Sequence, residues 1–171
     1  MKTTLATHSG FRFEVRRARP DDEPLVAEFF THVTPEDMRF RFLGAVREVS
    51  HERLVAMTRS DDPHIHNFLA FSTDGMLIAV ATLAADPADR LARSPSAFAR
   101  TVSISASAGN FSAISRTMPT TMGIETLESI ESRENRAAIE LEREMGFTVA
   151  TVPDDPTLVL VQRKLGATLA D

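Results

Sequence analysis

One passage near the C-terminal end of the chain constrains its fold more than any other. It runs from Gly123 to Phe147 and reads GIETLESIESRENRAAIELEREMGF. The stretch Ile124–Ile130 reads as a strand, and a helical period predicts a helix over Arg133–Met145. Gly146 stands where helices commonly end in a left-handed residue. The passage therefore predicts a strand, a polar turn and a helix that leads directly into another strand.

The rest of the chain alternates strand and helix signals. Their order, β-α-α-α-β-β-β-α-β-α-β-β, predicts a mixed α/β fold in a single domain over residues 11–165, with residues 1–10 and 166–171 as flexible termini. Asp74-Gly75 between two apolar runs is typical of a hairpin turn, and Asp86–Pro95 is expected to be a polar loop. The predicted strands are Phe11–Ala18, Asn67–Ser72, Met76–Ala85, Ala97–Ser105, Ile124–Ile130, Phe147–Val152 and Thr157–Lys164, and the predicted helices begin near Pro20, Thr34, Ser50, Phe111 and Arg133.

Composition excludes several kinds of chemistry. The chain of 171 residues has no cysteine, tryptophan or tyrosine, so disulfides, thiol catalysis and a phenolic general acid are excluded. Its net charge of −5 argues against a nucleic-acid partner, because phosphate contacts need clustered Lys and Arg. No apolar run approaches the roughly 20 residues of a membrane helix. We therefore expect a cytoplasmic protein without a membrane or nucleic-acid partner.

The last helix resembles a motif of the GNAT superfamily of acyl-CoA-dependent N-acetyltransferases. Members often carry N-x-x-A-x-x-L-Y-x-K-x-G-F, which is matched here by Asn135, Ala138, Leu141 and Gly146-Phe147, with Glu142 in the place of Tyr and Glu in the place of Lys. The stretch VRRARPDDEPLVAEFFTHVTPEDMRFRFLG, followed by SHERL, is similar to the start of GNAT domains related to bacterial protein-lysine acetyltransferases. The two matches cover residues 11–86 and 123–165.

The resemblance implies a GNAT fold, with a mostly antiparallel central sheet and helices on both faces. It implies acetyl-CoA as cosubstrate and direct attack on the thioester by an amine, either a small molecule or a protein lysine, and members often form homodimers. No catalytic residue is assigned and no metal is expected. Asn135 is expected either to contact the pantetheine arm or to cap the helix. The implied cofactor-binding residues are Ser103, Ile104 and Ser105, whose amides polarise the thioester carbonyl, Gly109, Asn110, Phe111 and Ser112, which hold the pyrophosphate, and Asn135.

The segment Ser94–Thr121 departs from the family pattern. The usual pyrophosphate loop, R/Q-x-x-G-x-G/A, is missing, and no acidic residue occurs from Arg90 to Ile124, so the fourth-strand Glu of related enzymes is missing too. Three interpretations remain open. The loop is divergent but works, the domain is degenerate and has a regulatory or interaction role, or the gene carries a local change of reading frame. Translating the coding DNA in its other frames tests the third.

Two groups of titratable side chains suggest other sites. His64 and His66 are spaced to share one face of a strand and to bind a metal, although a polar loop entering a strand is the favoured interpretation. Glu36, Asp37 and Glu48 belong to the region that lines the acceptor cleft in GNAT domains, where they suit a cationic amine. For Glu36 and Asp37 we favour the simpler role of stabilising a helix N-terminus.

Arginines in two places raise a further question. The run MRFRFLG alternates Arg39 and Arg41 with Phe40 and Phe42, a pattern that suits nucleic acid but that we interpret as core packing beside solvated arginines. Arg136 is within reach of a phosphate in the family arrangement, but we interpret it as a solvated helix residue.

Overall fold

A computed structural model describes residues 2–6, 12–59, 61–85, 91–94, 126–144 and 146–164. Within these ranges the chain forms eight strands and four α-helices, and residues Pro20–Asp22 form a short 3-10 turn before the first helix. In chain order the elements are β1 (Lys2–Ala6), β2 (Arg12–Arg17), α1 (Glu23–Thr31), α2 (Pro35–Phe42), α3 (His51–Thr58), β3 (Ile65–Ser72), β4 (Leu77–Ala85), β5 (Leu91–Ser94), β6 (Thr126–Ser132), α4 (Arg136–Glu144), β7 (Thr148–Val152) and β8 (Asp155–Lys164).

The described strands form one sheet in the order β1-β2-β3-β4-β5-β6-β8-β7. Neighbouring strands are antiparallel except β5 and β6, which run parallel. The final hairpin inserts its second strand, β8, between β6 and β7. This arrangement confirms the predicted fold class, a mixed α/β protein with a mostly antiparallel central sheet.

The main apolar core joins α1, α2 and α3 to the central strands. Residues three or four positions apart on α1 share one face of that helix and are buried together, as their spacing predicts. Strand residues Leu69 and Val80, which are directly paired across β3 and β4, meet these helices. No helix in the described part of the chain is long and apolar enough to cross a membrane. The cluster contains Val26, Phe29, Phe30, Val33, Met38, Val49, Leu54, Met57, Leu69 and Val80.

Helix and turn boundaries follow the predicted local signals closely. Thr34 and Ser50 cap α2 and α3, because their side-chain oxygens accept hydrogen bonds from the backbone amides three residues later. Gly75 in the β3–β4 hairpin and Gly146 after α4 have φ angles of 85° and 86°, values that glycine adopts without steric cost.

Four local predictions differ from the structure. Residues 2–6 form β1, paired with β2, although no strand was predicted there. Leu91–Ser94 is a strand and not a polar loop. The first helix begins at Glu23 because Pro20–Asp22 adopts the tighter 3-10 geometry. The last helix begins at Arg136, three residues later than predicted. The predicted strand at residues 97–105 and the helix near residue 111 lie outside the described residues.

Candidate functional site

Strand β6 continues past the end of the described part of β5. The two strands pair in parallel from Leu91 with Thr126 to Ser94 with Ser129. Beyond that point Ile130–Ser132 pair on their other side with β8. Among the described residues, no strand pairs with the β5-facing edge of Ile130–Ser132. Backbone amides and carbonyls at such an edge can pair with an extended ligand that carries amides of its own.

The link between β6 and α4 is fixed to the β7–β8 hairpin. The backbone N–H of Arg133 donates to the carbonyl of Thr157 at 2.8 Å. Its side-chain Nε donates to the carbonyl of Pro156 at 2.7 Å. These two bonds hold the hairpin turn beside the end of β6, so that both line one opening.

A buried polar cluster lies beneath this link. Glu131 accepts hydrogen bonds from Ser129 Oγ at 3.0 Å and from Asn135 Nδ2 at 3.4 Å, and all three residues are at most 5% exposed. Ser129 and Glu131 are two positions apart on β6, which places both on one face of the strand. Burial lowers the pKa of Arg41, on α2, to about 10, while its attraction to Glu131 acts in the opposite direction. The cluster therefore connects α2, β6 and the start of α4.

An open cleft of about 730 Å³ lies above the β6–α4 link. One wall is the end of α2 with the residues after it, the second is the β6–α4 link, and the third is the β7–β8 turn. Three arginines and one glutamate line it, a formal charge of +2, and Arg39 forms an ion pair with Glu134 at 2.5 Å. The lining residues are Arg39, Leu43, Gly44, Ala45, Ser132, Arg133, Glu134, Arg136, Pro156, Thr157 and Leu158.

The sequence-predicted cofactor residues divide into two groups. Asn135 is buried and is not among the residues that line the cleft, although Glu134 and Arg136 on either side of it are. Its side chain donates to Glu131, and its backbone carbonyl accepts from the amides of Ala138 and Ile139 as α4 begins. It thus takes part in starting the helix, and its contact with pantetheine stays a prediction. The others, Ser103, Ile104, Ser105, Gly109, Asn110, Phe111 and Ser112, lie outside the described residues and also stay predictions.

The acidic residues considered for an amine site do not line the cleft. Glu36 and Asp37 form the first turn of α2, where the Asp37 amide donates to Thr34 Oγ1 at 3.1 Å. Glu48 lines a separate cavity of about 650 Å³ between α1, α2 and α3. The favoured interpretation of Glu36 and Asp37 as helix-terminal residues agrees with these positions.

The two histidines lie where the chain enters β3. His64 is exposed before the strand and His66 is half-buried within it. Burial, with smaller contributions from Arg17 and His64, lowers the pKa of His66. No group of three or more His, Asp or Glu residues suitable for a metal ion occurs in the described ranges.

Two arginine predictions meet different outcomes. Arg41 is 3% exposed, so its interpretation as a solvated residue is wrong. Its guanidinium donates to the Val80 carbonyl at 3.4 Å and contacts Met57 Sδ at 3.5 Å. Arg136 is exposed as predicted, but it also lines the cleft. The sequence pattern indicates neither Arg39 nor Arg133 as a residue of this cleft, because the cleft brings together residues from distant parts of the chain.

The helical period over α4 predicts that Ala137, Ala138, Leu141 and Met145 face inward, and the structure describes the burial of the first two. Ala138 is buried as expected, but Ala137 is exposed, and Ile139 and Glu142 turn inward with Ala138. Glu142, which stands at the tyrosine position of the motif, is 3% exposed. The buried face of α4 therefore carries a carboxyl group where the motif has a phenol.

Solved structures of acetyltransferases share this architecture, while no family model matches the chain. The GNAT domain of S. lividans PAT has a TM-score of 0.77 and 18% identity, covering 96% of this chain and 97% of that chain. RimL, a ribosomal α-N-protein acetyltransferase in complex with coenzyme A, has a TM-score of 0.69 and 12% identity, with coverages of 95% and 99%. Spermidine N-acetyltransferase from Vibrio cholerae, in complex with CoA and spermine, has a TM-score of 0.58 and 15% identity, with coverages of 88% and 92%. The chain therefore has the fold of the GNAT acetyltransferases.

Proposed function

We propose that this chain is an N-acetyltransferase that transfers the acetyl group of acetyl-CoA to an amine. The observation that carries the proposal is the position of the β6 edge, Ile130–Ser132, next to the open cleft of about 730 Å³. The pantetheine arm contains amides and can pair with such an edge as an added strand. The RimL and spermidine acetyltransferase structures contain coenzyme A, which supports the choice of cosubstrate.

The chain's own residues supply positioning and electrostatics. Acetyl-CoA, when bound, supplies the activated thioester. The attacking amine must be unprotonated, and the positive charge of Arg39, Arg133 and Arg136 around the cleft disfavours a protonated amine there. The predicted roles of Ser103–Ser105 at the carbonyl and Gly109–Ser112 at the pyrophosphate belong to this proposal, as does the cytoplasmic location.

Calorimetric titration with acetyl-CoA is the first test. We expect measurable heat and a raised melting temperature, because a ligand that binds only the folded state stabilises it. Transfer is then followed with a thiol reagent, which reports released CoA alone because the chain has no cysteine. Neither heat nor stabilisation at millimolar acetyl-CoA would contradict the proposal and favour the degenerate, non-catalytic domain with a regulatory or interaction role.

A matched pair of variants tests the cleft itself. Ala45 lines the cleft and is exposed, so Ala45→Trp fills the cleft with little effect on folding. We expect kcat/KM for the amine to fall by about tenfold or more, because the added side chain displaces the amine from its reactive position. The affinity for acetyl-CoA should stay unchanged. Ala150→Trp, at an exposed position on β7 outside the cleft, is the control. Equal activity in both variants would show that the acceptor binds elsewhere.

A further inference from the structure

We infer that the acceptor held by the arginine-lined cleft is a small amine that also carries a carboxylate, which is the chemistry of a free amino acid. The inference rests on the proposed function, since it assigns a substrate class to the same cleft. It starts from the charge of the lining residues, which is opposite in sign to that of the chain as a whole.

Positive charge is concentrated around Arg133 and Arg136, which line this cleft and also, with Arg143 and Glu140, a neighbouring cavity of about 510 Å³. The chain has a net charge of −5, yet the cleft is lined by Arg39, Arg133 and Arg136 against a single glutamate, Glu134. A cationic acceptor, such as a polyamine, is repelled by such a lining, whereas an anion is attracted and concentrated there. The sign of the cleft therefore selects against a purely cationic amine.

Two of the three arginines are available to bind an anion. In the described part of the chain, the Arg136 side chain makes no hydrogen bond or ion pair, although it is exposed on the cleft. Arg133 uses Nε on the Pro156 carbonyl, which orients its guanidinium, and its two terminal nitrogens have no acceptor among the described residues. Arg39 already forms an ion pair with Glu134. Arg133 and Arg136 are therefore the residues that we assign to the carboxylate.

The chemistry of arginine suits a carboxylate. Its planar guanidinium presents paired N–H donors that match the two oxygens of a carboxylate, with both charge and direction. The cleft volume of about 730 Å³ falls within the ~300–1,000 Å³ range of small-molecule pockets. Together these features favour a small amino acid, with its carboxylate on the arginines and its amine toward the β6 edge.

The experiment compares amino acids with their carboxamides, which lack the carboxylate and have a less basic amine, so that the amide is the intrinsically more available nucleophile. Acetyl transfer is measured for the common L-amino acids and for their carboxamides, with the thiol readout. Because charged hydrogen bonds are stronger than neutral ones, we expect at least one acid to exceed its amide by about tenfold or more in kcat/KM. Comparable rates for acids and amides, or transfer to amides or lysyl peptides alone, would overturn the inference.

Three variants locate the effect. Arg136→Gln removes a charge without breaking a bond within the described part of the protein, and we expect it to raise KM for the acid by about tenfold while KM for the amide stays unchanged. Glu134→Gln releases Arg39 from its ion pair and should lower KM for the acid by about two- to fivefold. Arg12→Gln, at an exposed position on β2 outside the cleft, is the matched control and should match the unmodified protein.

The proposed function and the substrate class fail in different ways. Arg136→Gln is also titrated with acetyl-CoA, and a weakened affinity with an unchanged KM for the acid would assign Arg136 to the cofactor and overturn the inference. Direct calorimetry of the acids, with and without acetyl-CoA, tests the anion site independently of turnover. Binding of acids that is lost in Arg136→Gln supports the site even if acetyl-CoA does not bind, whereas no acid binding and no transfer to acids overturns it.

Discussion

Arg41 is one of the buried charged residues that the structure describes near the site, and only 3% of it is exposed. Its side chain is taken out of water between α2 and the sheet, with Val80 O and Met57 Sδ as its hydrogen-bond partners at 3.4 and 3.5 Å. Burial alone lowers the pKa of an arginine, and the nearby carboxylate of Glu131 opposes that change. Glu131 therefore favours the charged form of Arg41.

Removing either charge should be costly, and removing both should cost less than the sum. We expect Arg41→Met and Glu131→Gln each to lower the free energy of unfolding by about 3 kcal/mol, because each removes an opposite charge that stabilises a buried charged group. The loss in the double variant should be smaller than the sum of the two single losses by at least about 1 kcal/mol. Urea unfolding of the four proteins measures this coupling. Losses that add within about 0.5 kcal/mol would show that the residues do not interact.

Among the elements, β2 is joined to the start of α1 by one ion pair. Arg16 donates from both terminal nitrogens to the two carboxylate oxygens of Asp22 at 2.7 Å, and the Arg19 amide also donates to Asp22 at 2.7 Å. The hydrogen bond from Arg16 is the main reason that the pKa of Asp22 lies below its ordinary value of 3.8, although burial acts in the other direction. Asp22 thus serves as a structural anchor as well as part of the turn before α1.

This anchor predicts a specific acid dependence. A carboxyl whose pKa is lower in the folded state contributes stability that is fully present above its unfolded pKa and is lost as pH falls through the folded value. The unmodified protein should therefore lose the contribution of Asp22 below about pH 4, whereas Asp22→Asn should be less stable at pH 7, by about 1–2 kcal/mol. Urea unfolding between pH 2.5 and pH 7, approximate limits set by the carboxyl range, should show the two curves converging in acid.

The neighbouring Asp21 provides the comparison. It is exposed and has the same side chain one residue earlier, so Asp21→Asn should stay close to the unmodified protein at pH 7. If the difference in the free energy of unfolding between Asp22→Asn and the unmodified protein stayed constant across the acid range, Asp22 would contribute through its shape and not through its charge.

Local signals in the sequence predicted elements better than they predicted faces. The N-cap residues Thr34 and Ser50 and the positive-φ Gly146 are set by interactions within a few residues, so they could be recognised in advance. The burial of Glu142 and the exposure of Ala137 could not be recognised in advance, because an apolar pattern predicts that a polar residue is exposed and that an alanine on the apolar face is buried. Burial of Glu142 and Arg41 depends on charges and packing from other elements, which a periodic pattern does not contain.

The candidate site was still harder to predict, because its residues are far apart in the sequence. Arg39 and Glu134 are 95 positions apart in sequence, and their pairing closes one side of the cleft. Asn135 was recognised because it belongs to a local motif, whereas no local pattern around Arg39 or Arg133 indicates that these two residues line one cleft. The packing of α2 against the β6–α4 link and the hairpin brings Arg39 to the same cleft as Arg133 and Arg136.

At the scale of the whole molecule, the candidate site lies next to the parallel strand pair of an otherwise antiparallel sheet. Every described strand pair is antiparallel except β5 with β6, and the β6 residues beyond that pair, Ile130–Ser132, lie directly before the link that forms the cleft floor. One ligand can therefore pair with the sheet and present its reactive end to the cleft. The fold thus places the strand edge that we propose for the cofactor beside the cleft that we propose for the acceptor.

Hydrogen exchange tests this placement directly. If pantetheine pairs with the β6 edge, acetyl-CoA at about 100 times its Kd should slow exchange in the peptide containing Ile130–Ser132 by about tenfold or more, because newly bonded amides exchange only when the ligand leaves. The peptide over β2, Arg12–Arg17, lies across the sheet and should change little beyond any global stabilisation, so it serves as the internal reference. Protection confined to other peptides, with binding confirmed by calorimetry, would place the cofactor away from β6. In that case the cleft and its arginines would serve a ligand that never meets the thioester.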